Sequence, residues 1–192
     1  MPDLRDLPVL RWGEELRRLR RDRHCGRRRL LVAAAAAVAA TALAATAIRP
    51  PRPLLVWNAS TSSPEGLYVV RPEGAPRLGD MVIAWPPDAA RRLAAARNYL
   101  PYGVPLVKRV AAAAGDRVCA AGEAVFVGDR LVTLRRSEDA AGRPLPWWTG
   151  CIRLRTGELL LLNEGADSFD GRYFGITPPS DVIGRARLIW AR

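Results

Sequence analysis

The longest apolar stretch of the chain is nineteen residues without a charge, from Leu30 to Ile48. As a helix it would be roughly 28 Å long, close to the thickness of the hydrocarbon core of a bilayer. A helix on the surface of a soluble protein would need a polar face, and Thr41 and Thr46 do not make one. The pattern therefore predicts a single transmembrane helix, with an anchor over residues 30–49.

A cleaved signal peptide is the alternative for this stretch. The sequence ALAATA at residues 42–47 offers small residues at a suitable spacing for such a cleavage. The long basic segment in front of residue 30 favours an anchor that stays uncleaved.

After residue 50 the pattern changes to short runs of β-branched and aromatic residues, bounded by Gly, Pro and Asp. These runs predict strands over residues 66–70, 80–85, 104–110, 124–134, 157–163 and 182–190. The sequence VGDRL inside the fourth run indicates a hairpin turn. One helix is predicted over residues 87–100, with Asp88 near its start. The predicted fold class is mainly β with one short helix, preceded by a single N-terminal transmembrane helix.

Part of the net charge of +11 is grouped directly in front of the apolar stretch. Eight arginines lie within the thirteen residues from Arg17 to Arg29. Basic flanks stay on the cytoplasmic side, so residues 1–29 are predicted to be cytoplasmic and residues 50–192 to be exported. The basic run then sets topology and can hold anionic lipid headgroups, and we do not expect the chain to bind nucleic acid.

This charge pattern predicts a single-pass protein of the inner (cytoplasmic) membrane. Its N-terminus is cytoplasmic, its folded domain is periplasmic or extracytoplasmic, and the lipid bilayer is one of its partners.

The three cysteines fall on both sides of the predicted membrane segment. Cys25 lies on the cytoplasmic side, where we expect a free thiol. Cys119 and Cys151 lie in the exported part, where disulfides persist, and a bridge would close a loop of about thirty residues and add on the order of 3 kcal/mol. Two unpaired, buried thiols are the alternative.

His24 is the only histidine, and it precedes the membrane segment. Ser-His-Asp, Cys-His and histidine-ligated zinc chemistry are therefore excluded for the exported domain. No cluster with the spacing of metal ligands occurs, and we expect neither a metal nor a cofactor.

Lys108 is the only lysine among thirty basic residues. In an extended strand its side chain shares one face with Leu106 and Val110, so the amine starts among apolar neighbours. Desolvation lowers the pKa of a lysine, and a fall from about 10.4 to near 7 corresponds to roughly 4 to 5 kcal/mol. A buried Lys108 could thus act as a base. The alternative is a lysine whose stem packs on the core while its head reaches water.

The sequence NASTSSPEGLY, residues 58–68, supplies hydroxyl groups in a region typical of a turn. It offers four candidate nucleophiles, which are Ser60, Thr61, Ser62 and Ser63. The residues alone do not distinguish one hydroxyl from another.

Four blocks of sequence, taken together and in order, resemble the Ser/Lys signal peptidases. They are N-x-S-x-S-x-P-x-G-L-Y at residues 58–68, LGD-x-V at 78–82, VKRVAAAAGD at 107–116 and SFDGRYFG at 168–175. The resemblance is strongest to the TraF-type peptidases of conjugative transfer systems, and it implies the signal-peptidase β fold behind an N-terminal anchor.

The resemblance also implies a role for each matching residue. Ser62 takes the place of the nucleophile and Lys108 that of the general base. The hydroxyl of Ser60 and the backbone N–H of Ser62 match the oxyanion hole. The supporting residues are Ser168, Asp170 and Arg172.

Two departures from ordinary signal peptidases are visible. No methionine follows Ser62, which fits the TraF-type branch. Residues 170–172 read Asp-Gly-Arg instead of Asp-Ser-Arg, so a hydrogen bond from a serine at position 171 to the lysine is in doubt.

By this resemblance the chain is expected to be a membrane-anchored serine endopeptidase that cleaves leader peptides from exported precursors. The partner would be a precursor with small residues at positions −1 and −3 of the cleavage site, in the TraF-type branch a propilin. The residues do not decide between hydrolysis and acyl transfer to an amine.

The alternatives are an inactive anchored scaffold of a pilus or secretion assembly and a self-cleaving regulator of the repressor type. The regulator would be cytosolic with a DNA-binding head, where this chain has a membrane segment.

Overall fold

A computed structural model describes residues 8–48 and 53–192. The chain divides into two compact units, Met1–Pro51 and Arg52–Arg192. The first unit contains helix α1, Pro8–Ile48. Within α1, the segment Gly26–Thr46 has a mean hydropathy of 1.8 and none of its side chains is buried. This helix is long and apolar enough to cross a membrane, and it contains the apolar stretch from which the anchor was predicted.

The second unit is mainly β, as predicted. In chain order its strands are β1 Leu55–Asn58, β2 Gly66–Arg71, β3 Met81–Ala84, β4 Leu106–Ala112, β5 Arg117–Ala121, β6 Ala124–Val127, β7 Arg130–Leu134, β8 Gly150–Arg153, β9 Leu160–Leu162 and β10 Val182–Ala191. They form a six-stranded sheet in the order β1-β2-β10-β3-β4-β9 and a four-stranded sheet in the order β7-β6-β5-β8. All neighbouring strands are antiparallel.

The predicted short helix is α2, Asp88–Ala96, which buries Ala90 and Ala94 and carries an acidic residue in its first turn. A further single turn, α3, covers Gly171–Phe174. The side chain of Asp170 caps α3 by accepting a hydrogen bond from the backbone N–H of Arg172 at 3.1 Å. Helix α3, which holds residues of the expected site, was not predicted, because a segment of four residues is too short to show helical periodicity.

Strand β4 lies inside the six-stranded sheet, between β3 and β9, and places Lys108 opposite Val82. The core around this part of the sheet includes Ile83 and Val110, both almost completely buried. The middle of the sheet therefore surrounds Lys108 with buried apolar side chains.

The loop between β1 and β2 is fixed by a close approach at Gly66. Its backbone has φ +148°, and a Cβ atom there would lie 2.1 Å from the carbonyl oxygen of Trp190 in β10. Only glycine fits between the two strands, which explains the glycine of the first sequence block.

In the four-stranded sheet, Cys119 of β5 and Cys151 of β8 are directly opposite and are joined by a disulfide bond. The bond ties β8 to the centre of its sheet. The side chain of Cys25 lies outside the described residues.

Candidate active site

The segment between β1 and β2 folds around the side chain of Asn58. Its amide nitrogen donates to the carbonyl oxygens of Ser60, Ser63 and Pro64 at 2.9, 3.2 and 3.1 Å. The hydroxyl of Tyr68 also donates to the Pro64 carbonyl, at 2.8 Å. A turn of hydroxyl residues is thereby held in one conformation against the sheet.

The structure distinguishes hydroxyl groups that the sequence could not. Ser63 is buried and donates its hydrogen to the carbonyl oxygen of Val107 at 3.0 Å, whereas Thr61 is exposed. Ser62 is half-buried, and its Oγ lies 3.5 Å from the Nζ of Lys108. Ser62 is thus the residue of the turn whose hydroxyl faces the lysine.

Lys108 is 3% exposed, so its head does not reach water and the snorkelling alternative is wrong. Its Nζ donates to the Oγ of Ser168 at 2.6 Å. Desolvation lowers the pKa of Lys108 to about 8, against a smaller raising effect of Asp170 and a smaller lowering effect of Arg172. A substantial fraction of this amine is therefore neutral near pH 8, as the alternation of β4 predicted for a buried lysine.

Ser60 lies beside Ser62 on the exposed side of the turn. The two hydroxyl oxygens are 3.0 Å apart, and the backbone N–H of Ser62 donates weakly to the Ser60 Oγ at 3.4 Å. The Ser60 hydroxyl and the Ser62 N–H are therefore adjacent, as the two donors of an oxyanion hole would have to be.

Asp170 and Arg172 form an ion pair at 2.8 Å, and both side chains are buried. The other oxygen of Asp170 accepts from the backbone N–H of Asn163 at 3.0 Å, and Arg172 donates to the backbone carbonyl of Asn163 at 2.7 Å. The pair therefore holds the chain at Asn163, and its charges act on Lys108 through space.

The packing around position 171 admits a glycine only. A Cβ atom at this position would lie 2.8 Å from the carbonyl oxygen of Leu161 and 2.9 Å from a side-chain carbon of Leu160. No side chain fits there without a shift of β9. The hydroxyl that contacts Lys108 at 2.6 Å belongs to Ser168.

Asn163 was missed by the sequence reasoning. It is 8% exposed, and its amide nitrogen lies 2.7 Å from the Ser63 Oγ, 3.1 Å from the Val107 carbonyl and 3.3 Å from the Ser62 Oγ. The available signal was its position directly after the run LLLL, where a polar residue ends a buried strand.

A cleft of about 700 Å³ opens beside these residues. Ser60, Ser62 and Lys108 line it together with the edge strand β1 and the start of β4. Aromatic side chains also line the cleft, among them Tyr99, Phe169 and Tyr173.

In the parts of the chain that the structure describes, no group of three or more His, Cys, Asp or Glu residues could hold a metal ion. The polar side chains that line the cleft carry hydroxyls, carboxylates, an amide, a guanidinium and the amine of Lys108.

The comparison of sequences identifies the family to which the chain belongs. The family profile described as signal peptidase, peptidase S26, matches residues 27–191. The chain belongs to the signal peptidase family, which confirms the resemblance drawn from the four sequence blocks.

Three relatives share the TraF name. A probable conjugal transfer protein TraF of Sinorhizobium fredii is 34% identical over 142 residues, covering 69% of this chain and 74% of that protein. A plasmid transfer protein TraF of Escherichia coli is 36% identical over 147 residues, covering 69% and 82%. A conjugal transfer protein TraF of Agrobacterium tumefaciens is 34% identical over 174 residues, covering 85% and 96%. The predicted similarity to TraF-type proteins is thereby confirmed.

Among solved structures, a signal peptidase I from Enterococcus faecalis aligns with a TM-score of 0.34 and 16% identity. The alignment covers 58% of this chain and 97% of that chain.

Proposed function

We propose that this chain is a membrane-anchored serine endopeptidase in which Ser62 is the nucleophile and Lys108 the general base. The observation that carries the proposal is the contact between a serine hydroxyl and a lysine that is 3% exposed and has a pKa lowered to about 8. The chain has no other lysine, and its one histidine precedes the exported part.

The chemistry follows from these groups. The neutral amine of Lys108 takes the proton of Ser62, whose oxygen attacks the scissile carbonyl carbon and forms a tetrahedral intermediate. The Ser62 N–H and the Ser60 hydroxyl donate to its oxyanion, and each such donor is worth about 3 to 4 kcal/mol in comparable sites. The charged Lys108 returns the proton to the leaving amine, which leaves an acyl-enzyme. Lys108 then accepts a proton from the water that attacks the acyl carbon and passes it to the Ser62 oxygen as the bond to Ser62 breaks and the acid is released.

The substrate is proposed to bind as an extended strand in the cleft. Strand β1 is an edge of the six-stranded sheet and leads directly into the Ser60–Ser62 turn, so a peptide paired with β1 would deliver its carbonyl to Ser62. We expect small residues at positions −1 and −3 of the leader peptide, as at the cleavage sites of secretory leaders.

The location and the particular substrate are also part of the proposal. Helix α1 would anchor the chain in the inner membrane, with the basic segment before residue 30 cytoplasmic and residues 50–192 extracytoplasmic. The relatives named for conjugal or plasmid transfer support a propilin as the exported precursor.

The test is cleavage in membranes. A propilin precursor with an Ala-x-Ala site is co-expressed with the wild type, Ser62→Ala or Lys108→Arg. Thr61→Ala serves as the matched control, because Thr61 is the exposed hydroxyl next to Ser62. We expect the wild type and Thr61→Ala to cleave and the other two variants to fail, because an arginine cannot release its proton in this range.

Cleavage by Lys108→Arg would show that only the charge matters and would refute the proposed mechanism. If the wild type leaves the precursor intact while Ser62→Ala still supports assembly of the transfer apparatus, the chain is an anchored scaffold.

A further inference from the structure

The orientation of the Asn163 side chain is fixed by two backbone groups. Its Oδ1 accepts from the backbone N–H of Arg109 at 3.2 Å, and its Nδ2 faces the carbonyl oxygen of Val107 at 3.1 Å. A backbone N–H can only donate and a carbonyl can only accept, so the amide cannot be turned over without losing both bonds. The hydrogens of Nδ2 therefore face the turn that carries Ser62.

Nδ2 meets two hydroxyls in this turn, and it can only donate to them. Ser63, at 2.7 Å, uses its own hydrogen on the Val107 carbonyl, so its oxygen is free to accept. Nδ2 has two hydrogens for three acceptors within reach, and Ser62, at 3.3 Å, is more distant than Ser63 and the Val107 carbonyl. The Ser62 oxygen therefore shares a hydrogen of a group that cannot accept one in return.

The second lone pair of Ser62 faces Ser60. Because the Ser60 oxygen already accepts the Ser62 N–H, its own hydrogen is free to donate to the Ser62 oxygen, 3.0 Å away. When Ser60 donates as well, the single hydrogen of Ser62 is directed to the amine of Lys108 at 3.5 Å, which can accept it in the neutral form.

We propose that Asn163 is a positioning residue whose amide directs the hydrogen of Ser62 toward Lys108. This inference rests on the proposed function, because it concerns the proton transfer from Ser62 to Lys108. It states which residue orients the Ser62 hydroxyl for that transfer. Strand β9 ends at Leu162, so Asn163 follows directly and lies against β4 and the turn.

The surroundings of Asn163 keep its amide in place. Asp170 accepts its backbone N–H and Arg172 donates to its backbone carbonyl, and all three side chains are at most 8% exposed. The same two charged residues are those that act on Lys108. The buried ion pair thus supports the site by fixing Asn163 as well as by its field.

The test compares Asn163→Ala and Asn163→Asp with the control Ser63→Ala, all in the full-length chain in detergent micelles. Ser63→Ala removes the purely structural hydrogen bonds of the turn but leaves the amide of Asn163 next to Ser62. Cleavage of an Ala-x-Ala peptide gives kcat and KM. Selective 13C labelling of lysine gives a single Cε signal, whose titration reports the pKa of Lys108 without any turnover. Thermal unfolding followed by tryptophan fluorescence shows that each variant is folded at the assay temperature.

We expect Asn163→Ala to lower kcat by about 10- to 100-fold at unchanged KM, which is the effect of losing one hydrogen bond in the transition state. Without the amide, the Ser62 oxygen can accept from Lys108 instead of donating to it, and the midpoint of the Lys108 titration rises. Asn163→Asp should raise the midpoint further and be less active than Asn163→Ala, because its carboxylate attracts the Ser62 hydrogen and favours the charged lysine.

A kcat of folded Asn163→Ala within about twofold of the wild type would overturn the inference. The inference would also be overturned if Ser63→Ala raised the midpoint of the Lys108 titration as much as Asn163→Ala does. The rise in pKa would then come from the packing of the turn and not from the amide of Asn163. If the wild type does not cleave the peptide, the proposed function is wrong for that substrate, and the lysine titration alone decides about Asn163.

Discussion

Replacing Lys108 by methionine tests the desolvated lysine on which the proposed mechanism depends. Burial lowers the pKa of Lys108 from 10.5 to about 8. At about 1.36 kcal/mol per pKa unit, keeping the amine charged in the folded state costs about 3 kcal/mol below pH 8. Methionine has a similar length and no charge, but it loses the hydrogen bond to Ser168, which contributes about 1 kcal/mol. We therefore expect Lys108→Met to be inactive and about 2 kcal/mol more stable at pH 7.

The sign of the pH dependence follows from proton binding. Between pH 8 and pH 10.5 the unfolded lysine keeps its proton while the folded lysine has lost it. The wild type therefore gains stability as the pH rises through this window, and the advantage of Lys108→Met shrinks until it is gone near the upper end. For a domain of this size, about 2 kcal/mol at pH 7 corresponds to an increase in Tm of roughly 6 °C.

The assay is thermal unfolding of the full-length chain in detergent micelles, followed by tryptophan fluorescence from pH 7 to pH 10.5. Arg109→Met is the matched control, because the neighbouring side chain in β4 is exposed and its replacement should give no pH-dependent gain in this window. Titration of the single lysine Cε signal measures the same quantity directly. A folded-state midpoint near 10.5, or a Tm difference that does not change with pH, would refute the reasoning.

Two further predictions concern the frame of the site. Gly171→Ser restores the serine of ordinary signal peptidases, yet its Cβ would lie 2.8 Å from the Leu161 carbonyl, so we expect a loss of about 1 to 3 kcal/mol in urea unfolding and no gain in activity. Gly103→Ser, where a Cβ meets nothing within 4 Å, is the control, and equal stability of the two variants would contradict the packing argument. Replacing Cys119 and Cys151 together by serine removes a cross-link spanning 32 residues, and we expect a loss of about 3 to 4 kcal/mol with kcat unchanged. An oxidised wild type no more stable than this double variant would show that the bond does not form.

The strands that the sequence predicted are those with a run of β-branched or aromatic residues bounded by turn residues. Three strands were missed, β1, β5 and β8, which have the sequences LVWN, RVCAA and GCIR. Each is at most five residues long and is defined by its partner strand rather than by its own pattern. The pairing of β5 with β8 brings together residues about thirty positions apart. The local sequence of either strand does not determine the register of that pairing.

Apart from the residues assigned through the family resemblance, the site could be predicted only where a single residue stands out by its composition or its position in a pattern. Lys108 is the only lysine and lies in an alternating strand, so its burial could be expected from the pattern of β4. The choice of Ser62 among its neighbours depends on contacts across 46 residues to Lys108 and 101 residues to Asn163. Asn163 is not distinguished in this way. Its contacts with the site depend on the pairing of β9 with β4.

The buried ion pair explains how the pKa of a lysine can be lowered beside a carboxylate. Asp170 alone would favour the charged form of Lys108, and its effect is to raise the pKa. Arg172 lies 2.8 Å from Asp170, lowers the pKa of the lysine in turn and so offsets the carboxylate, which leaves desolvation as the largest influence. Removing Arg172 would thus be worse for the proposed base than removing both charges, because an unpaired carboxylate would remain buried near the amine. The pair is suited to holding Asn163 and α3 by hydrogen bonds while contributing little net charge at the point where Lys108 must lose its proton.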